Sequence, residues 1–357
     1  MKKTSFWVKI LLPVFSIFAC IGTLEVVGRI WEYNLGQGAG GWEVLGSRRM
    51  KVDFYANYFL LHPNQDFFWE GINVHVNGQG LREDDRNYDK QAGTYRIVIL
   101  GDSVPFGWEV EQTQTHARVL ETMLRSDTTK HYDVVNLGTP GLNLGREYHF
   151  LKDTFSQYQP DLVVWDVTTW NDIDPRECAI LEEKFDASPV QWMRENTAVW
   201  PFLSSLMGKL RSNSGQAPVT SSDSGEFVYP YPMDTQDHYW DECVHQPVQS
   251  MLDLLAEKQV PLLMVIIPID LQVANADAAT VPQDYFQKMA AEMPNLKVVD
   301  LLPTFREAYL KNPTATENDS GNPLFGDYYS HPSALGHKLA AEAIYRAIID
   351  NHFGTAS

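Results

Sequence analysis

The chain has 357 residues, 44% of them hydrophobic, which is enough to bury a sizeable core and excludes wholesale disorder. Its formal charge of −18 excludes the basic face that a nucleic-acid partner requires and reads as a well-solvated surface. The three cysteines form no C-x-x-C pair, which argues against a metal knuckle or a redox pair.

Residues 1–33 read as an N-terminal membrane anchor. Lys2, Lys3 and Lys9 precede an uncharged run from Ile10 to Leu24; Glu25 interrupts it, and Val26, Val27, Ile30 and Trp31 follow. A spanning helix needs about 20 residues, which the run reaches when counted across Glu25. Phe6, Trp7, Trp31 and Tyr33 suit the two interfaces, and the lysine bias puts the N-terminus in the cytoplasm. The body is then expected in the periplasm or the extracellular space, tethered to the cytoplasmic membrane. A cleaved signal peptide fits less well, because no A-x-A site follows the run, and Ile17-Phe-Ala-Cys20 only distantly resembles a lipobox.

The Gly-rich residues 34–50 read as a tether. Residues 51–357 read as one α/β domain. Its first thirty residues are dense in aromatics (Phe54, Tyr55, Tyr58, Phe59, Phe67, Phe68, Trp69) and read as a packed segment rather than a ligand platform. Short apolar runs predict strands at Arg96–Leu100, Asp133–Leu137, Asp161–Val167, Pro261–Ile267 and Lys297–Leu301. Helical spacing predicts helices over 114–126, 145–157 and Ala334–Ile349. Alternating strands and helices predict a parallel sheet covered on both faces. Residues 176–245 break the rhythm and read as an insertion over the strand ends, with a Ser/Gly-rich loop from Ser212 to Gly225. Cys178 and Cys243 are expected either to pair, if the body is outside the cytoplasm, or to be two buried thiols.

Gly101-Asp102-Ser103 directly follows the first predicted strand, at the carboxyl end of the sheet where α/β proteins place their ligands. A serine there can act as nucleophile only with an adjacent base; alone it would equally suit a helix N-cap. The candidate base is His331, in the turn-rich loop before the last helix, with Asp327 near enough to hold its tautomer. Acyl transfer also needs donors for an oxyanion. The loops after the second and third strands offer the Gly141 backbone N–H and the Asn171 side-chain amide. No P-loop, dinucleotide fingerprint or G-x-S-x-G elbow is present, and His331 and His337 lack a zinc-site pattern, so no cofactor and no metal are expected.

Taken together, Gly101-Asp-Ser103, Gly141, Asn171-Asp172 and Asp327…His331-Pro resemble the ordered blocks of the SGNH/GDSL hydrolase superfamily. Asn77-Gly-Gln-Gly-Leu-Arg82, the run Tyr95–Ser103 and Phe106-Gly-Trp-Glu-Val110, with Glu25 near the end of the apolar run, are similar to a bacterial branch carrying an N-terminal membrane segment. The resemblance covers residues 72–175 and 326–350 and hardly touches 176–260. It implies a flavodoxin-like three-layer α/β/α sandwich with a five-stranded parallel sheet. It implies Ser103 as nucleophile and His331 as base, with Ser103 and Gly141 backbone N–H groups and Asn171 forming the oxyanion hole.

Three positions depart from the pattern. Val104 replaces the usual leucine. Thr169 stands where a glycine is usual, which would narrow the site. Asp327 lies four residues before His331 instead of three, which leaves the third triad member open. The expected activity is hydrolysis of a small acyl ester such as acetate, on a small molecule or a cell-envelope glycan. The alternatives are an O-acyltransferase using the same residues, and a carbohydrate-binding or assembly subunit with a spent site.

Overall fold

The computed structural model describes residues 52–55, 57–69, 72–85, 88–127, 131–170, 172–173, 233–236, 238–311, 322–326 and 330–353, together with 15–16, 19–20 and 22–27. The chain divides into two compact units. The smaller comprises Met1–Lys51, Phe67–Gly71 and Asp186–Val228. Residues 15–16, 19–20 and 22–27 of it are helical. No helix among the described residues is long and apolar enough to cross a membrane. The expected tether and most of the expected insertion lie outside the described residues.

The larger unit, Val52–Asp66, Ile72–Phe185 and Tyr229–Ser357, carries the main sheet. The chain begins with short strands β1 (Val52–Phe54), β2 (Phe59–Leu61), β3 (Gln65–Trp69) and β4 (Ile72–Val76). β1 and β2 form an antiparallel pair with Val52 opposite Leu61. Of the expected packed aromatics, Tyr58 is buried and stands 5.3 Å from Phe150, ring to ring. Tyr55 stacks on Tyr58 at 4.8 Å but is itself exposed.

Five parallel strands follow: β5 (Thr94–Leu100), β6 (His131–Asn136), β7 (Leu162–Thr168), β8 (Leu262–Ile267) and β9 (Leu296–Asp300). Their order is β6-β5-β7-β8-β9, the doubly wound, flavodoxin-like arrangement in which the first strand neighbours the second and the third. The register places Ile97 opposite Val134 on one side and Leu162 on the other. All five strands match the apolar runs read from the sequence, with ends shifted by one or two residues.

Side chains along a strand alternate faces, and both faces are buried. Val98 and Leu100 join one cluster, with helices α3 (Leu144–Tyr158), α4 (Gln246–Lys258) and α6 (Val281–Glu292). Ile97 and Ile99 join the other, with α2 (His116–Asp127), α7 (Leu302–Lys311) and α8 (Ala334–Asp350). Two short helices, α1 (Ser103–Phe106) and α5 (Asp270–Ala274), sit beyond β5 and β8. Each fully buried aliphatic side chain of β5 stabilises by about 1.5–3 kcal/mol over leaving it in water, so the strand that leads into the serine turn is firmly seated. Helices α4, α6 and α7 were not read from the sequence. The apolar positions of α4 (Val248, Met251, Leu252, Leu255) keep helical spacing, with Pro247 in the first turn. Cys243 is disulfide-bonded and Cys20 is a free thiol; Cys178 lies outside the described residues.

Candidate active site

β5 ends at Leu100, and the chain turns sharply at Gly101. A Cβ on Gly101 would lie 2.7 Å from Pro105 Cγ and 3.1 Å from Asp166 Cβ, so only glycine fits. Asp102, not Ser103, caps α1: its Oδ1 accepts the Val104 N–H at 2.9 Å. Ser103 is the first residue of the helix and is free to present its hydroxyl. Arg82 fixes the far end of this turn, donating to the carbonyls of Phe106, Gly107 and Val110. The loop after β6 presses on the same turn, where Asn136 Nδ2 donates to the Pro105 carbonyl.

His331 reaches the serine from the other end of the chain. Its Nε2 lies 2.8 Å from Ser103 Oγ, across 228 residues of sequence. The loop that carries it is tied at several points. Phe325 pairs with Pro332, and the His331 carbonyl accepts the Gly326 N–H at 2.7 Å. Ser330 takes a left-handed conformation (φ 67°) and accepts the Asp270 N–H on its hydroxyl at 3.0 Å. The indole of Trp108 stacks on the His331 ring, 5.6 Å between centroids and 26° between planes.

Ser103 and His331 open on a cleft of about 260 Å³, also lined by Trp108, Pro140, Gly141, Thr168 and Trp170. Gly141 sits at φ +82°, a conformation that favours glycine, which brings its backbone to the wall of the cleft. Of the residues expected at this site, Ser103, Gly141 and His331 meet here. Asn171 and Asp327 lie outside the described residues. Thr169 does not narrow the cleft as expected. Its buried hydroxyl donates to the Ile267 carbonyl at 3.1 Å and contacts Gln272 Oε1 at 3.3 Å, because a buried hydroxyl needs a partner and those are within reach.

Beneath the cleft lies a buried polar layer that the sequence reading missed. Thr168 joins the nucleophile turn to the loop after β7: its hydroxyl donates to Asp102 Oδ1 at 3.2 Å and its N–H to Asp172 Oδ2 at 2.6 Å. Glu147 accepts the Trp165 indole N–H at 2.6 Å. Burial, then the nearby Asp102, push the Asp172 and Glu147 carboxyls well above the usual carboxylate range. Burial, then His116, push the His337 imidazole well below its usual range. The available signal was a carboxylate, Asp166, inside an otherwise apolar strand, since such a group must find a partner.

This geometry can do acyl transfer: a hydroxyl bonded to an imidazole, with backbone groups along the cleft beside it. No protein-family model and no curated protein matches the chain. Among solved structures, it is similar to a member of the lipolytic G-D-S-L family from Veillonella parvula at 15% identity, over 71% of this chain and 98% of that one, with a TM-score of 0.41. It is also similar to a lipase/acylhydrolase from Enterococcus faecalis (14% identity, 72% and 96%, TM-score 0.41). A third is a catalytic mutant of an acetylxylan esterase from Geobacillus stearothermophilus (17% identity, 71% and 94%, TM-score 0.41). Likenesses this distant carry no chemistry to this chain, which has to be read from its own side chains.

Proposed function

We propose that the protein is a membrane-anchored, extracytoplasmic serine esterase of the SGNH/GDSL type that removes a small acyl group, such as acetate, from a small molecule or a cell-envelope glycan. The observation that carries this reading is the 2.8 Å contact between Ser103 Oγ and His331 Nε2 at the mouth of the cleft. Ser103 attacks the ester carbonyl while His331 takes its proton. The Ser103 and Gly141 backbone N–H groups and the Asn171 amide stabilise the tetrahedral oxyanion, and Asp327 orients the imidazole. His331 then returns the proton to the leaving alcohol, and water releases the acyl group by the same steps.

The modest size of the cleft supports a short acyl group, and the indoles of Trp108 and Trp170 in its walls support a sugar ring as the alcohol part. The lysine bias before the apolar run supports an outside location, as does the disulfide at Cys243, since disulfides persist in oxidising compartments. A fluorophosphonate probe tests the chemistry directly. Covalent labelling that disappears in Ser103→Ala supports the reading; a full chain that resists the probe refutes it.

A further inference from the structure

Three buried side chains behind the site meet from three elements. His116 opens α2, Asp166 sits inside β7, and His337 lies in the first turn of α8. The two imidazoles stack, with centroids 5.2 Å apart and planes within 16°. Their Nδ1 atoms are 3.0 Å apart. The backbone N–H of His116 points at the same His337 Nδ1, at 3.2 Å. On its other side, His116 Nε2 lies 2.9 Å from Asp166 Oδ2, at ion-pair distance but without hydrogen-bond alignment.

These contacts fix a proton count. A backbone N–H can only donate, so His337 Nδ1 is a bare acceptor and the ring carries its proton on Nε2. His116 Nδ1 must then be a donor, because two bare nitrogens at 3.0 Å would repel. A neutral His116 with its proton on Nδ1 would present a bare Nε2 to a carboxylate oxygen at 2.9 Å, which also repels. Both contacts become attractive only when the His116–Asp166 pair carries one more proton, which makes the 2.9 Å approach an ion pair. That proton also cancels the charge of a carboxylate that is fully buried, where an uncompensated charge is costly.

We infer that Asp166, His116 and His337 form a buried relay holding one proton more than a carboxylate and two neutral imidazoles carry, and that the relay positions Ser103 against His331. At one end, Asp166 backs Gly101, where the chain turns to present Ser103. At the other, the His337 backbone N–H donates to the Ser333 carbonyl at 2.8 Å, in the turn just after His331. Arg82 and His331 face His337, and Glu147 and Asp172 share the field of Asp166. Losing the proton turns one of the two contacts repulsive and spreads the elements that hold the nucleophile and the base together. The positioning role rests on the esterase reading; the proton count does not.

Two measurements on the full chain in detergent test this. The first is long-range proton–nitrogen NMR of the histidine rings at neutral pH. His337 should show a bare Nδ1, His116 a protonated Nδ1, and the extra proton should appear on His116 Nε2. In Asp166→Asn the extra proton should vanish, because the amide can donate to a neutral His116. A bare His116 Nδ1, or a bare His116 Nε2, overturns the relay. The second is hydrolysis of a short aryl ester. Asp166→Ala should lower kcat about tenfold at unchanged KM, as a small misplacement of reacting groups does, and Asp166→Asn should restore most of that loss. An unchanged kcat in Asp166→Ala, or equal losses in the two variants, overturns the positioning role. A wild-type chain that resists fluorophosphonate refutes the esterase reading, and the positioning role with it, while the NMR still decides the proton count.

Discussion

If His331 serves only to activate Ser103, the two residues must fail as a unit. The 2.8 Å contact puts the imidazole within proton-transfer reach of the hydroxyl, so removing it forfeits general-base catalysis. That is worth about 10²- to 10⁴-fold, or about 2.7–5.4 kcal/mol of barrier. Ser103→Ala removes the nucleophile and should cost at least as much. In the double variant Ser103→Ala/His331→Ala there is nothing left for the base to activate, so its rate should be hardly lower than that of the worse single variant. The assay is hydrolysis of a short aryl ester, with folding checked by thermal unfolding. Additive losses would refute the base assignment and leave His331 as a binding residue. Full activity in Ser103→Ala would refute the mechanism altogether. Asp327→Ala should be milder than either, since orienting an imidazole contributes less than supplying it.

Three further expectations follow from the same site. Asn171→Ala should lower kcat by about 10²- to 10³-fold while KM moves little, because an oxyanion donor acts only near the transition state; an unchanged kcat assigns Asn171 to the loop alone. Gly101→Ala should destabilise by about 1–3 kcal/mol through overpacking against Pro105 and Asp166, and a melting temperature equal to wild type would contradict that geometry. Glu147 has its folded pKa raised above the ordinary 4.5, so its favourable contribution is fully present below about pH 4.5 and is lost as the pH rises through the folded value. Glu147→Gln keeps an acceptor for Trp165 and cannot ionise; it should match wild type in acid and unfold at a higher temperature at neutral pH, and parallel curves would show that Glu147 does not titrate on unfolding.

The parallel sheet was legible from the chain itself, because β8 is an unbroken apolar run and β5 and β7 are mostly apolar, buried on both faces and followed by turn residues. Ser103 and His331 were legible because each stands in a polar turn beside such an element, and the order of the blocks repeats that of a known family. Gly101 and Gly141 stood out in the sequence as members of the blocks after the first and second strands; the crowding at Gly101 and the positive φ at Gly141 are set by the tertiary structure. The sequence misplaced the consequence of Thr169, because which face a loop hydroxyl takes depends on the partners within reach, here Ile267 and Gln272. It did not reveal the Thr168 link between Asp102 and Asp172, nor the meeting of His116, Asp166 and His337. Those contacts join residues up to 221 positions apart. Local periodicity reports which side of an element is buried, but not what it is buried against. Only the packing of α2 and α8 against the sheet brings a helix start, a strand interior and another helix start to one point, and there the proton count is decided.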